Sequence, residues 1–380
     1  EMSASLVGSE MCIRDRLWLT LKAKNKYHIS KLVFSTWSAP AWMKSNGKVS
    51  NGRLKTECYT DFANYLAAFY NAYKSKGIAP YAISPSNEPG YAAPWNSSLW
   101  TADEMGKFIT SYLGPTFRKE NIPAKIIFGE NPLWAVYMPQ LKMVSSKDFT
   151  DTILQNYPEA KDFNLIAAGH GYSLSPDIMP IKVDKEYLKT AILPFEMAEK
   201  ADIPVWITEI SDVNPLDISI HDGLKWAVTF HNYLTKANVN AIIWWGGAMP
   251  TSNNESLIIL DKNRKDFLLS KRYDIFGNFS RYIPEESTRI QVTQSSGIPL
   301  LISAYKKDDE YTLVTINSSK QTIQTSLRLD GANINGLLKQ YITNEDNSWT
   351  EMAIVQENKE YYNLTIPPYS VVTFVGKVRL

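Results

Sequence analysis

Six short apolar segments, each followed by a stretch with helical periodicity, occupy most of this 380-residue chain up to residue 284. Strict alternation of strands and helices is typical of a parallel sheet covered by helices. No glycine-rich phosphate or dinucleotide fingerprint follows any of the segments. Polar or aromatic residues stand at the carboxyl end of each one, which favours an α/β barrel over a doubly wound sheet. The predicted strands are 31–35, 79–84, 124–129, 163–168, 203–208 and 239–245.

An eight-stranded barrel needs two strands more than these six. The predicted fold is therefore α/β, a (β/α)8 TIM barrel lacking its first two strands, with 17–284 as the partial catalytic barrel. Residues 1–16 show no helix or strand period and are expected to be a non-native or disordered leader of a truncated chain. Beyond residue 284 the chain changes to short alternating runs with turn residues between them, so 285–380 is predicted to be an antiparallel β-sandwich side domain.

Composition excludes several classes of function. With 40 basic and 39 acidic residues the net charge is +1, so neither nucleic acid nor a membrane is an expected partner. Two cysteines and four histidines without metal-pair spacing predict no metal and no cofactor. Aromatic residues make up 12% of the chain and their flat rings suit sugar faces, although packing in the core accounts for most of them.

Two glutamates at or just after the ends of predicted strands are candidate catalytic residues. Glu88 follows Asn87 in the loop after strand 79–84, and Glu209 follows Thr208 at the end of strand 203–208. Hydrolysis of a glycosidic bond needs one carboxyl to protonate the leaving oxygen and another to attack or to activate water. A single glutamate at a strand end is more often a helix cap or an ion-pair partner. Two glutamates at one face of a barrel are a more specific sign of a glycosidase.

Five motifs occur in the order found in glycoside hydrolase family 30, a clan A family, and the chain resembles its bacterial xylanase branch from about residue 17 to the end. The motifs are Trp37-Ser38-Ala39-Pro40-Ala41-Trp42-Met43-Lys44, Ser84-Pro85-Ser86-Asn87-Glu88-Pro89, His170-Gly171-Tyr172, Trp206-Ile207-Thr208-Glu209 and Trp244-Trp245. The resemblance implies a retaining mechanism, in which the two carboxyl groups lie about 5–5.5 Å apart.

The resemblance also implies roles for individual residues. Glu88, on the fourth barrel strand, matches the general acid/base, and Glu209, on the seventh, matches the nucleophile. Asn87 matches the residue that hydrogen-bonds the sugar 2-hydroxyl. Further substrate-binding positions are expected around the cleaved bond, although packing at the barrel mouth is an equal alternative for some of them: Trp37, Tyr91, His170, Tyr172, Trp244 and Trp245.

Other residues near the motifs have a structural alternative. Trp42 is expected to be structural, and Trp95 and Trp100 either stack on sugars or pack their own loop. Glu130 is a third carboxylate at a strand end, which would orient Glu88 or a neighbouring hydroxyl.

The substrate is predicted from a position at which this chain differs from part of the bacterial xylanase branch. Branch members that require a glucuronate side group carry an arginine just after the eighth strand, where this chain has Gly246–Pro250. Neither Arg264 nor Arg272 stands at the matching position. The expected activity is an endo-β-1,4-xylanase independent of glucuronate, monomeric, and secreted because polymeric xylan cannot enter a cell. The alternatives are a β-1,6-glucanase or β-glucosidase-like exo enzyme, and an inactive carbohydrate-binding fragment.

Overall fold

The computed structural model describes residues 17–135, 143–172, 192–261, 263, 265–330, 338–354 and 361–377. The predicted leader 1–16 lies outside these ranges. The chain divides into two compact units. The first comprises residues up to 173, 184–209 and 239–241, and the second comprises 174–183, 210–238 and 242–380. The boundary placed at residue 284 by the sequence stays a prediction.

A six-stranded sheet runs through the first unit, and its strands follow one another in chain order. Neighbouring strands from the first to the fifth pair in parallel, which confirms the predicted parallel sheet. Five strands are shorter than predicted, the fourth keeps its length but begins two residues later, and the sixth comprises only two residues. They are β1 (Val33–Ser35), β2 (Ala82–Ser84), β3 (Lys125–Gly129), β4 (Leu165–His170), β5 (Val205–Glu209) and β6 (Ala241–Ile242).

Helices alternate with these strands, as the sequence pattern predicts. The first spans 17–27, and the others in this unit are α2 (Tyr59–Ser75), α3 (Ala102–Phe108), α4 (Gly114–Lys119), α5 (Ser146–Asn156) and α6 (Glu196–Lys200). Helix α3 begins with the expected capping box, because the Thr101 side chain accepts the Glu104 N–H and the Glu104 carboxylate accepts the Thr101 N–H. The sequence pattern also predicts a helix at 186–200, of which residues 186–191 lie outside the described residues.

The core of the first unit lies between the sheet and these helices. Strands β2 and β4 are buried along their whole length, as expected for parallel strands that are covered on both faces. The helices contribute one apolar face each. Fully buried side chains in this core include Phe62, Leu66, Ile83, Phe108, Ile127, Ile153, Ile166 and Ile207.

The second unit contains two helices, α7 (Ile220–Thr235) and α8 (Lys271–Ser280), and a small sheet that the sequence did not indicate. The stretch Gly246–Pro250 was expected to be a loop, but it contains β7 (Ala248–Met249), which pairs in parallel with β8 (Ile258–Asp261). Strand β9 (Asp266–Leu269) pairs antiparallel with β8. A two-residue strand has no recognisable period, which is why the pattern misses it.

The remaining strands of the second unit are antiparallel, as predicted. Six form a sheet in the order β10-β11-β12-β17-β14-β15, and β13 pairs with β16. The two groups share one apolar core. Two strands, β15 and β16, were not predicted. The strands are β10 (Thr288–Ile290), β11 (Leu301–Lys307), β12 (Glu310–Asn317), β13 (Ile323–Leu327), β14 (Leu338–Thr343), β15 (Thr350–Ile354), β16 (Tyr362–Ile366) and β17 (Ser370–Lys377). None of the helices among the described residues has the length and hydropathy that crossing a membrane requires.

Candidate active site

The ends of β1, β2 and β3 share an unusual backbone conformation. Trp37, Glu88 and Glu130 have φ angles of 56°, 47° and 48°. Left-handed backbone is uncommon for residues other than glycine and persists where neighbouring structure enforces it. Backbone hydrogen bonds do so here. The Trp37 carbonyl accepts the Asn87 N–H at 3.3 Å, the Glu130 carbonyl accepts the Glu88 N–H at 3.1 Å, and the Glu130 N–H donates to Ala168 at 2.8 Å.

A buried cluster of two carboxylates and one imidazole lies at the carboxyl ends of β2, β4 and β5. Glu88, His170 and Glu209 are 5%, 1% and 9% exposed. The His170 Nδ1 lies 3.2 Å from Glu88 Oε1 and 3.9 Å from Glu209 Oε1. One oxygen of each glutamate and one ring nitrogen of the histidine all lie within 4.8 Å of one another. Residues distant in the sequence therefore converge, because parallel strands end at one edge of the sheet.

Electrostatics place a proton on the histidine. Burial alone would lower the pKa of His170, but neighbouring glutamates, Glu209 first and then Glu88, raise it to about 9. At neutral pH the ring is an imidazolium between Glu88 and Glu209, and its Nδ1–H faces Glu88. An imidazolium has no free lone pair for a metal ion, so we treat the cluster as a proton-transfer site rather than a metal centre.

Two further polar side chains contact the cluster. The Tyr172 hydroxyl donates a hydrogen bond to Glu209 Oε1, and its ring meets the His170 ring edge-on at 5.8 Å. Glu130, after β3, is buried next to the Ser84 hydroxyl, and burial raises the pKa of the Glu130 carboxyl. Ser84 was not among the predicted site residues. A serine at the last position of a buried strand, two residues after an alanine, carries no local sign of a polar partner.

Of the remaining predicted residues in the first unit, Asn87 is buried and Trp37 and Tyr91 are half-buried. The Tyr91 N–H donates to the Glu88 carbonyl at 2.9 Å, so Tyr91 belongs to the same tight turn as the glutamate. The Tyr91 ring lies 6.0 Å from the exposed Trp95 ring.

Two tryptophans of these loops differ in exposure. Trp42 is 61% exposed, so the expectation of a structural role is wrong: its position in a short 3₁₀ turn directs the ring outwards. Trp100 is buried against Tyr59 and Phe108. Of its two alternatives, stacking on sugars and packing within the protein, the structure therefore favours packing.

Trp244 and Trp245 belong to the second unit. Trp244 is 7% exposed, meets the Trp226 ring edge-on at 4.6 Å, and donates its indole N–H to the Glu255 carbonyl at 3.0 Å. The Trp245 indole donates to Glu255 Oε1 at 3.1 Å, and this ring is only half-buried. Glu255 was missed by the sequence interpretation, because no motif marks a glutamate in a loop as the partner of two distant indoles.

Arg272, one of the two arginines considered for a glucuronate, is buried in an ion pair in the second unit. It is 1% exposed and paired with Asp222, and its guanidinium also donates to the carbonyls of Asp217 (2.6 Å) and Ser256 (3.2 Å). A guanidinium in this position has no free face for a substrate carboxylate. Arg264 lies outside the described residues.

A parallel sheet that brings two buried glutamates together at its carboxyl edge is the arrangement of a glycoside hydrolase. Residues 13–259 match the model of O-Glycosyl hydrolase family 30, and the chain belongs to this family.

Individual family relatives differ in activity. Glucuronoxylanase XynC of Bacillus subtilis (strain 168) is 26% identical over 367 residues, covering 93% of this chain and 76% of that protein. The catalytic domain of xylanase C from Talaromyces cellulolyticus has a TM-score of 0.76 at 21% identity, covering 93% of this chain and 77% of that one. An endo-1,6-beta-D-glucanase of Neurospora crassa is 34% identical over 97 residues, covering 24% of this chain and 20% of that protein.

Proposed function

We propose that the chain is a retaining glycoside hydrolase in which Glu209 is the nucleophile and Glu88 the general acid/base. One observation carries the proposal: oxygens of Glu88 and Glu209 lie within 4.8 Å of each other in a buried cluster. Retaining enzymes hold their two carboxyl groups about 5–5.5 Å apart, whereas inverting enzymes leave room for a water between them. The short separation therefore favours direct attack by one carboxylate.

The contacts of the two glutamates fit these roles. Glu209 receives the Tyr172 hydroxyl hydrogen bond, which favours its charged form and orients one oxygen. Its carboxylate attacks the anomeric carbon while Glu88 protonates the departing oxygen. A water molecule then gives a proton to Glu88 and attacks the anomeric carbon. This attack breaks the bond between the sugar and Glu209. The imidazolium of His170 lies 3.2 Å from Glu88 and stabilises the carboxylate that remains after the proton has left.

Substrate contacts are part of the same proposal. Asn87 would bind the 2-hydroxyl of the sugar at the cleavage point, and Trp37, Tyr91, His170 and Tyr172 would line its surroundings. For Trp244 and Trp245, which belong to the second unit, a role in sugar binding is proposed from the sequence resemblance alone. In this assignment β1 to β6 correspond to the third to eighth strands of a (β/α)8 barrel, and the antiparallel strands after residue 284 to a β-sandwich side domain.

The proposed substrate is β-1,4-xylan without a requirement for glucuronate, and the proposed enzyme is a secreted monomer. Xylan is supported by the relative named as a glucuronoxylanase. Independence from glucuronate is supported by the burial of Arg272 and by the apolar residues of Gly246–Pro250. A bidentate arginine is the usual partner of a carboxylate, and these residues offer none.

A β-1,6-glucanase is the second candidate, favoured by the 34% identity to the Neurospora enzyme over a quarter of the chain. Product analysis on plain xylan, glucuronoxylan and β-1,6-glucan separates the two. We expect xylo-oligosaccharides from both xylans at similar rates. Cleavage of glucuronoxylan alone would contradict glucuronate independence, and cleavage of the glucan alone would select the second candidate. Glycan binding without turnover would mean a non-catalytic protein.

A further inference from the structure

Glu130 is a third buried carboxyl beside the two proposed catalytic ones, and its hydrogen-bond partner decides its charge. The Ser84 hydroxyl lies within hydrogen-bond distance of two oxygens, the Glu130 carboxyl and the Ser86 carbonyl at 3.1 Å. A hydroxyl has one hydrogen to donate, and a carbonyl can only accept. Both contacts are satisfied when Ser84 donates to Ser86 and the Glu130 carboxyl is protonated and donates to Ser84.

The backbone next to Glu130 holds the residues of the site on both sides. Its carbonyl accepts the Glu88 N–H, as described above. The next residue, Asn131, accepts the Gly90 N–H on its side-chain oxygen at 2.6 Å and the His170 N–H on its carbonyl at 3.0 Å. A side chain at Gly90 would collide with Asn131, because an added Cβ would lie 2.5 Å from its Oδ1. The end of β3 therefore fixes the turn that carries Glu88 and the backbone of His170.

We infer that Glu130 is a positioning residue that is protonated at neutral pH, and that its O–H hydrogen bond to Ser84 fixes the turn presenting Glu88. This inference rests on the proposed acid/base role of Glu88. It adds a neutral carboxylic acid that donates a hydrogen bond next to the ionised nucleophile Glu209.

Charge in the surroundings agrees with a neutral Glu130. Burial raises the pKa of Glu130, Glu209 beside it raises it further, and only His170 opposes the shift by its charge. Hydrogen bonds from the uncharged side chains of Ser84 on β2 and Thr208 on β5 also lower the pKa of Glu130, but burial outweighs them. An ionised Glu130 would place a third negative charge next to Glu209, and like charges disfavour the ionised nucleophile that the proposed mechanism needs.

The test compares Glu130→Gln with Glu130→Ala on xylo-oligosaccharides and on a dinitrophenyl β-xyloside, whose leaving group needs no proton. The glutamine N–H replaces the carboxyl O–H, so we expect kcat within about threefold of the wild type and an unchanged pH profile. Glu130→Ala should lose about tenfold or more in kcat on xylo-oligosaccharides and much less on the activated xyloside, since only the acid is misplaced. Ser84→Ala should show the same selectivity, with the exposed Ser75→Ala as control.

Infrared spectroscopy detects whether the Glu130 carboxyl is protonated, and the measurement does not depend on turnover. The wild type should show a carboxylic-acid C=O stretching band at neutral pH that is absent in Glu130→Gln. Absence of that band in the wild type would overturn the inference. So would a Glu130→Gln variant that loses as much activity as Glu130→Ala, or an equal loss in Glu130→Ala on both substrate types. A wild type inactive on every glycoside would instead refute the proposed function and leave the infrared result to decide the charge of Glu130.

Discussion

At the residue scale, His170 determines how charge is distributed in the site. It is the one cationic group of the described cluster, buried between Glu88 and Glu209. An imidazolium in this position offsets the repulsion between two carboxylates that must come close for a retaining mechanism. Its proton also makes Nδ1 a donor, which fixes the orientation of Glu88 Oε1.

This pairing predicts how stability depends on pH. The pKa of His170 rises from 6.5 to about 9 on folding, so its ion pairs stabilise the fold fully below pH 6.5 and are lost as pH rises through about 9. The difference in unfolding free energy between wild type and His170→Gln should therefore shrink from pH 6 to pH 10. Urea unfolding measures it, and the exposed His28→Gln provides the control. A difference that grows with pH would contradict the assigned charge.

Sequence motifs predicted which residues meet, but not how they are protonated. Glu88, Glu209, His170 and Tyr172 were all named from motifs, and the structure brings them together at the ends of their strands. The donor relationship between Glu130 and Ser84 depends on a contact across two strands. Such a contact follows from register and burial, and neither is visible in the local sequence.

At the scale of elements, the loops after β1 and β2 are joined by a buried lysine. Lys44 is almost fully buried, and its ammonium donates to the Ser38 hydroxyl at 3.1 Å and to the Ser97 carbonyl. Burial lowers the pKa of Lys44 to about 8. A bridge between Arg53 and Leu99 joins the same two loops. The turn that carries Glu88 therefore continues into a loop that is fastened to its neighbour.

Replacing this lysine should loosen both loops. Lys44→Met removes the charged donor of the Ser97 carbonyl, which keeps only the Ser38 hydroxyl at 3.2 Å, and the loss of such a hydrogen bond costs about 1–3 kcal/mol. We expect a lower melting temperature and faster limited proteolysis within residues 38–58 and 90–100. Lys48→Met, an exposed lysine in the same loop, is the matched control and should behave like the wild type. Equal proteolysis of the two variants would show that Lys44 does not fasten the loops.

Strands and helices with a clear hydrophobic periodicity were predictable from the sequence, and very short strands were not. All six parallel strands were located, because continuous apolar runs alternate with amphipathic helices. Strands β7, β8, β9, β15 and β16 were missed, since each spans only two to five residues. Trp42 was misassigned because exposure depends on the direction of a single 3₁₀ turn.

At the scale of the molecule, the first unit contains the candidate active site and the second unit contains a buried network of ion pairs. Lys225 lies 2.7 Å from Asp212 and 3.0 Å from Asp222, and Asp222 also pairs with Arg272. Removing one partner from such a network leaves an uncompensated buried charge, which is strongly destabilising. The network therefore gives Arg272 a structural role in the second unit.

The most direct test of the account is azide rescue of Glu88→Ala and Glu209→Ala with a dinitrophenyl β-xyloside. Azide needs no general base. In Glu88→Ala it should attack the sugar bound to Glu209 and give the β-xylosyl azide, since two inversions restore the configuration. In Glu209→Ala it should occupy the place of the missing nucleophile and give the α-azide by a single inversion. The reverse pattern would exchange the two roles, and an α-azide from both variants would contradict the retaining mechanism.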